Sequence, residues 1–205
     1  MNELFESTTY VATIQKGLPT LFHVANEEST RGGKIGMEVG SLRERILIAL
    51  LFVFYGKNRV SDNISITDTE ADVLLDKAKL SVKTSTNVHK FKLKWTANRS
   101  AASNFVSSYK PSCHLLYGYI KWNDWGGLYF ISKEIQNEVF NQIGKKNYLK
   151  IPNDGTNNRG IEIDPVACEM LINHKSTLKI PIKWIPPHID YNPVDRWVGE
   201  WKRIN

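Results

Sequence analysis

Asp72 and Lys83 are the pair of residues whose types and spacing best fit a chemical function. They bound the segment Asp72-Val-Leu-Leu-Asp-Lys-Ala-Lys-Leu-Ser-Val-Lys83, which predicts two short strands joined by a tight turn. Side chains alternate between the two faces of a strand, so Ser81 and Lys83 share one face of the second strand. With a turn centred on Lys77-Ala78, antiparallel pairing sets residue 74 opposite residue 81, and Asp72 directly opposite Lys83.

This pairing would place a carboxylate beside an ammonium group. A carboxylate that holds a divalent cation, next to an ammonium that faces a phosphate, is the minimum requirement for metal-assisted hydrolysis of a phosphodiester. On spacing alone, a cross-strand ion pair on the surface is the commoner explanation. Lys-Ala is also not a favoured two-residue turn, so this register is one plausible pairing among others.

Metal-assisted hydrolysis usually needs a second acidic group to hold the metal or orient water. The literal nuclease signature is Asp followed by Asp/Glu-x-Lys, but Ser81 stands at its acidic position. Glu70, on the same face as Asp72, is one substitute, and Glu44, in the first turn of an apolar helix, is the other. Ser41-Leu-Arg-Glu44 also reads as a capping box, and the local sequence alone favours that structural role.

Composition sets limits on the class of protein. The 205 residues are 41% hydrophobic and 23% charged, which predicts one well-buried core and one or at most two domains; with no linker to divide the chain, we expect a single domain over 1–205. The longest apolar run, 46–55, is too short to span a bilayer, and the acidic N-terminus does not resemble a signal peptide. Cys113 and Cys168 lack metal-site spacing, which fits a reduced, cytoplasmic compartment.

Positive charge lies close to the Asp72–Lys83 segment in sequence. The net charge is +6 and the isoelectric point is about 9.2. Lys90, Lys92 and Lys94 alternate along one segment, and Arg99 follows soon after. Clustered positive charge of this kind is expected where a phosphate backbone binds. A solvated strand face would show the same pattern, so both interpretations stay open.

The coarse pattern of elements predicts an α/β fold with a mixed central sheet flanked by helices on both sides. A weak helix over 5–17 should end at Lys16-Gly-Leu-Pro19, and Asn26–Gly36 should be a loop. A helix over 41–55, stopped by Gly56, is apolar all round from Ile46 and should be packed on several sides. The remaining elements are strands 63–67, 71–76, 80–85, possibly 89–95, 114–122, 127–131 and 177–185, helices 98–109, 132–143 and 164–174, and an irregular, tryptophan-rich tail from 186.

Glu44, Asp72 and Ser81-Val82-Lys83 together resemble the PD-(D/E)XK type II restriction endonucleases, in some of which the acid of the tripeptide has moved to a neighbouring helix. The similarity is closest to the ThaI family, which cleaves CG/CG to blunt ends, and it extends upstream to Gly36-Met37-Glu38. One departure is Ala71, which precedes Asp72 where the pattern has proline. The resemblance implies a restriction-endonuclease core, a Mg²⁺ cofactor, double-stranded DNA as substrate, a homodimer, and a cognate DNA methyltransferase.

The resemblance assigns roles residue by residue. Asp72 would bridge the metal, and Glu44 would be the displaced acid that also holds it. Val82 would offer its backbone carbonyl to the metal, as the middle residue of the tripeptide does in this family. Lys83 would stabilise the scissile phosphate and the attacking water.

Met37 lies between a loop and the apolar helix. A flexible, unbranched side chain at such a junction usually fills a gap in a core. The resemblance instead implies that Met37 is a wedge that enters the base stack from the minor groove at a CG step, which unstacks relatively easily. Arg31 and Lys34 could then hold the flanking phosphates. Guanine O6 and N7 are best met by lysine or arginine, and the candidates are Lys92, Lys94 and Arg99.

Two other groups could be mistaken for sites. Glu200-Trp-Lys202 satisfies the literal tripeptide, but Asp195 is too close upstream to leave room for two strands and a turn. The histidines have no paired spacing, and we expect them to be structural or surface groups rather than zinc ligands: His23, His89, His114, His174 and His188.

The leading hypothesis is therefore a Mg²⁺-dependent, homodimeric type II restriction endonuclease. A repair or recombination nuclease of the same fold is the first alternative, because a shared fold does not separate these functions. The second is a DNA-binding module without catalysis, in which Asp72 and Lys83 form a purely structural pair.

Overall fold

A computed structural model describes residues 1–65, 70–87, 90–95, 99–150 and 160–204. The helices are α1 (Asn2–Glu6), α2 (Thr8–Ser29), α3 (Val39–Tyr55), α4 (Arg99–Ser108), α5 (Lys133–Ile143), α6 (Lys145–Tyr148), α7 (Pro165–Asn173) and α8 (Pro193–Ile204). The strands are β1 (Thr30–Arg31), β2 (Lys34–Ile35), β3 (Val60–Ser61), β4 (Val73–Leu75), β5 (Ala78–Ser85), β6 (Lys92–Trp95), β7 (His114–Tyr119), β8 (Trp125–Ile131), β9 (Leu149–Lys150), β10 (Gly160–Ile163) and β11 (Leu178–Lys183). None of the described helices is both long enough and apolar enough to cross a membrane.

A six-stranded mixed sheet forms the centre of the protein, in the order β11-β8-β7-β5-β4-β3. The pair β5–β7 is parallel and the other pairs are antiparallel. Alternating residues of β5 and β7 face two separate hydrophobic clusters. Val82 and Leu116 pack with α1, α2 and α3, whereas Leu115 and Tyr117 pack with α5 and α7. The predicted α/β fold, with helices on both sides of a mixed sheet, is confirmed.

Helix α2 runs far beyond its predicted end, so the prediction that Lys16-Gly-Leu-Pro19 stops it was wrong. Pro19 lies inside the helix, where its ring removes one backbone hydrogen bond. The buried stripe of Ile14, Leu18 and Phe22 explains why the helix continues, because its packing in the core outweighs the local penalty.

The predicted loop 26–36 is also more ordered than expected. Its first residues complete α2, and β1 pairs with β2 in a small hairpin. Gly32 and Gly33 occupy the turn with positive φ, a conformation that glycine adopts without strain. The amide of Gly36 then donates to the carbonyl of Ser29, which closes the segment just before Met37.

Helix α3 carries the apolar run, and it begins at Val39 rather than at Ser41. Its N-cap is Glu38, without a side-chain cap hydrogen bond, so the predicted capping box of Ser41 and Glu44 does not form. Gly56, with φ of 74°, ends the helix as predicted. Val53 is 79% exposed, so the expectation that this helix is packed on several sides holds for only part of its surface.

The β4–β5 hairpin turns one residue earlier than predicted. Its two turn residues are Asp76 and Lys77, both with positive φ, as a type I′ turn requires. Val73 therefore pairs with Leu80, and the observed register is shifted by two residues from the predicted one. Because side chains alternate with a period of two, an even shift leaves each residue on its predicted face.

The other strands predicted near the site were confirmed only in part. Residues 63–65 are not in a strand, and 66–67, His89 and Asn98 lie outside the described residues. Strand β6 does not extend the β4–β5 hairpin, because it joins β10 and β9 in a separate three-stranded sheet. The predicted hairpin of β7 and β8 is confirmed.

Two of the predicted helix caps are confirmed. Ser132 caps α5 and Asp164 caps α7, each through its side-chain oxygen, as predicted. The C-terminal prediction was wrong in part, because residues 193–204 form helix α8 rather than an irregular tail. The decoy Glu200-Trp-Lys202 therefore lies on a helix, where Glu200 pairs with Arg203.

Candidate active site

The carboxylate of Asp72 is the centre of the site. Its Oδ2 atom accepts hydrogen bonds from the Val82 amide at 2.7 Å, from the Lys83 ammonium at 2.9 Å and from the Ser81 hydroxyl at 3.1 Å. Three donors from three consecutive residues thus hold one oxygen. Such a network fixes the orientation of the carboxylate before any ligand binds.

The hairpin explains this geometry. The amide of Asp72 donates to the carbonyl of Leu80, which continues the antiparallel pairing one residue beyond β4. Lys83 is consequently a diagonal neighbour of Asp72 rather than its direct partner, and its long side chain spans the offset. The predicted pair therefore forms, although the predicted reason for it was wrong.

Ser81 has a function that sequence reasoning missed. It is buried, and its hydroxyl donates to Asp72 rather than supplying the negative charge that the literal motif has at this position. The serine at the acidic position of the motif could have predicted this role, because a serine hydroxyl beside a carboxylate can donate a hydrogen bond to it.

Glu44 reaches the same site from α3. Together with Asp72 and Lys83 it lines a cleft of about 680 Å³. Burial is the main reason that the pKa of the Glu44 carboxyl is raised to about 7, and the negative charge of Asp72 adds to it. Lys83 and a backbone hydrogen bond from Thr84 act in the opposite direction. Glu44 is therefore a partly buried acid whose charge the protein compensates only in part.

Glu70, the alternative second acid, interacts with Ser112 and Tyr109. The Ser112 hydroxyl donates to its carboxylate. Its negative charge also helps to raise the pKa of Tyr109, for which burial is the main cause. Among the described residues, the lining of the cleft includes Glu44 and not Glu70.

Comparison with known proteins decides the family. The chain matches the family model described as "Restriction endonuclease ThaI" over residues 4–203. It belongs to the ThaI restriction endonuclease family. A solved structure described as "Restriction endonuclease in complex with substrate DNA" superposes with a TM-score of 0.89 at 37% identity, covering 98% of each chain. A search among curated protein sequences gave no match. The resemblance inferred from the sequence is confirmed at the level of the family.

Restriction endonucleases such as the ThaI family generally use divalent metal ions. The residues of this site fit such an ion. The N–H and C=O of a strand residue point to the same side, so the Val82 carbonyl faces the side of Asp72, to which its amide donates. Two carboxylates and a carbonyl offer only oxygen donors, which suit hard divalent cations such as Mg²⁺, Mn²⁺ and Ca²⁺. A cation would also compensate the charge of the partly buried Glu44.

Lysines in β6 and just before it line the cleft of this ThaI-family chain. Lys90, Lys92 and Lys94 all line it, as the alternating pattern suggested. Lys90 is paired with Glu162 at 2.8 Å, and the ammonium of Lys94 lies 4.8 Å from the centre of the Phe105 ring. Arg99 begins α4, but its side chain lies outside what the structure describes.

Met37 is an exposed apolar residue of the same cleft. Its side chain is 90% exposed, so the alternative that it fills a gap in the core was wrong. It lines the same cleft as Glu44 and Asp72. Arg31 and Lys34, on the adjacent β1–β2 hairpin, are both exposed.

Arg43 is a second residue that the sequence analysis missed. It is buried on α3, one residue before Glu44, and it also lines the cleft. Burial lowers the pKa of its guanidinium to about 10, so the group is charged at neutral pH. The spacing of Arg43, Leu47 and Leu51, four residues apart on one helix face, could have predicted its burial.

Proposed function

We propose that this ThaI-family chain is a Mg²⁺-dependent type II restriction endonuclease that hydrolyses double-stranded DNA at CGCG and leaves blunt ends. The observation that carries the proposal is the convergence of Asp72, Glu44 and Lys83 in one cleft with lysines on its wall. The sequence CGCG itself rests on resemblance to the family. The enzyme would act in the cytoplasm alongside a cognate DNA methyltransferase.

The residues divide the chemistry between them. Asp72, Glu44 and the carbonyl of Val82 would hold the metal, which when bound supplies positive charge for the phosphate and acidifies water. The ammonium of Lys83 lies beside Asp72 and would stabilise the negative charge that develops on the pentacovalent phosphate. Ser81 keeps Asp72 oriented for this task.

A palindromic site suits a homodimer, because a twofold axis presents the same surface to each half-site. Met37 from each subunit would enter a CG step from the minor groove. Arg31 and Lys34 would bind the flanking phosphates. The candidates for contacts to guanine in the major groove remain Lys92, Lys94 and Arg99.

A digest of a mixed-sequence plasmid with Mg²⁺ tests the activity. Discrete, reproducible fragments ending at CGCG are expected, and a plasmid whose CGCG sites have been altered should remain intact. Structure-selective nicking would favour a repair nuclease of the same fold. An uncut plasmid with a mobility shift would favour a DNA-binding module without catalysis.

Met37→Ala is expected to melt at the same temperature as the wild type. Its affinity for the specific DNA site should fall at least about tenfold, a loss within the roughly 1–3 kcal/mol that one mismatched base pair costs. The side chain is exposed in the free protein, so its removal leaves no cavity. Non-specific, salt-dependent binding through the lysines should survive. Thermal melting and binding at fixed salt measure the two effects.

Met170→Ala is the matched control, because Met170 packs against the core cluster around Leu171. It should lower the melting temperature without a change in site preference. A lower melting temperature for Met37→Ala, with unchanged specific affinity, would rule out the wedge.

A further inference from the structure

Arg43 is a buried cation whose partner among the described residues is neutral. The side chain is only 5% exposed, and its Nη2 atom donates to Oδ1 of Asn26 at 2.6 Å. Its Nε atom is buried without a hydrogen-bond partner among the described residues. None of the ion pairs between described residues includes Arg43.

Such an arrangement is unfavourable for the free protein. A buried charge destabilises a fold unless an opposite charge and hydrogen bonds compensate it. Leu47 and Leu51 occupy the next two turns of the same face of α3, so an apolar residue at position 43 would continue the core. The charged residue is therefore explained by a ligand that supplies the missing anion.

We propose that Arg43 binds a phosphate of the DNA backbone in the cleft, and that Asn26 holds the guanidinium in place for it. The inference rests on the proposed function, because it requires DNA in this cleft. Arg43 lines the cleft together with Met37 and Ser41, and the same cleft is lined by Asp72 and Lys83. A guanidinium offers several donors in a rigid plane that matches a phosphate.

Arg43→Met is the first test, because methionine is long and apolar. The free protein should melt at the same or a higher temperature, since an uncompensated buried charge is removed. DNA affinity should fall at least about 30-fold, as when one partner of a buried charge pair is truncated. The slope of log Kd against log salt should decrease by about one per arginine removed. Arg59→Met, which breaks the surface pair with Asp76, is the control and should leave affinity unchanged.

The phosphate itself is located by replacing single DNA phosphates with neutral methylphosphonates. At one position, wild-type protein should lose affinity while Arg43→Met does not. The assignment would be overturned if Arg43→Met bound DNA as tightly as the wild type. It would also be overturned if the losses of affinity from Arg43→Met and from the methylphosphonate were additive at every position. Wild-type protein that binds no DNA would instead overturn the proposed function.

Asn26→Asp keeps the test decisive if Arg43→Met does not fold. The new carboxylate would lie beside the guanidinium and neutralise it within the protein. We expect a higher melting temperature together with weaker DNA binding. Unchanged DNA affinity in Asn26→Asp would overturn the proposal.

Helix α8 carries a second, independent feature. One face of it is apolar at helical spacing, and no residue of the helix is buried. Trp197 is 57% and Trp201 is 69% exposed, and the same face includes Val194, Val198 and Ile204. Tyr191 and Arg196 anchor the start of the helix to Glu28 at the end of α2.

The charges of α8 are self-complementary. Asp195 lies in its first turn, where Arg196 is paired with Glu28, and Lys202 lies in its last turn, where Arg203 is paired with Glu200. In an antiparallel pair of identical helices, each acidic start would lie beside the partner's basic end, and the helix dipoles would oppose each other. We infer that α8 of a second copy covers this face and forms a twofold contact of the proposed homodimer.

Trp201→Asp should convert a dimer into a monomer, measured by light scattering during gel filtration. Trp125→Asp, at a tryptophan on β8 that is 57% exposed, is the control and should stay dimeric. Asp195→Lys should weaken the dimer at least about tenfold, and combining it with Lys202→Glu and Arg203→Glu should restore it. A monomeric wild type, or a dimeric Trp201→Asp, would overturn the contact, and DNA cleavage by a monomeric wild type would leave the proposed activity standing.

Discussion

Replacing Asp72 with asparagine is expected to reduce the rate of DNA cleavage by at least about 10³-fold while DNA binding is retained. The amide oxygen of asparagine can still accept from the Val82 amide, so the local fold should persist. The negative charge that would hold the metal is lost, and removal of one group that stabilises the transition state costs about 10²–10³ in rate by itself.

Single-turnover cleavage with Mg²⁺ and a mobility shift in chelator measure the two quantities for Asp72→Asn. Asp76→Asn is the matched control, because Asp76 lies in the same hairpin but pairs with Arg59 at the turn. It should cleave at the wild-type rate. Wild-type turnover by Asp72→Asn would remove Asp72 from the active site.

Glu44→Gln is expected to lower cleavage by orders of magnitude and, at the same time, to stabilise the free protein above neutral pH. Burial raises the pKa of Glu44 from 4.5 to about 7 in the folded protein. The folded state therefore binds a proton more tightly than the unfolded chain, and its stability falls as the pH rises from about 4.5 through 7. Glutamine stays neutral, so the stability gained at pH 8 should be about 1–3 kcal/mol.

Urea unfolding of both proteins without metal, at pH 5 and at pH 8, measures this effect. The difference in the free energy of unfolding should widen as the pH rises. Glu38→Gln, at an exposed glutamate that begins the same helix, should show neither the stabilisation nor the loss of cleavage. A folded Glu44→Gln protein with normal cleavage would return the second-acid role to Glu70.

The parts of the fold that the sequence predicted are those fixed by neighbouring residues. Ser132 and Asp164 cap their helices because a side-chain oxygen needs only an amide two or three residues away. Gly56 ends α3 for an equally local reason. Asp72 and Lys83 could be placed on one face because any two-residue turn between the strands, at 76–77 as observed or at 77–78 as predicted, gives a register in which alternation puts both side chains on the same side.

The sequence predictions failed where contacts between residues far apart in the chain determine the structure. Pro19 stays helical because the buried face of α2 packs against α3 and the sheet, which no local rule contains. The turn at Asp76-Lys77 puts Lys77 in a left-handed conformation that lysine seldom adopts, so the residue types did not single out this turn. The burial of Arg43 against Asn26 joins two helices, and only the three-dimensional fold brings them together.

The hairpin between Asp72 and Lys83 has a consequence for how such chains can diverge. Ten residues separate the acid from the lysine, and their number determines whether the two side chains meet. One residue added within β5 would turn Lys83 toward the opposite face, among the packed side chains of the core. Two would keep the face but carry the ammonium about 7 Å along the strand, away from Asp72. We therefore expect relatives to tolerate substitutions in this segment far more readily than insertions or deletions. The length of the segment, which sets the distance between the acid and the lysine, should be the same among them.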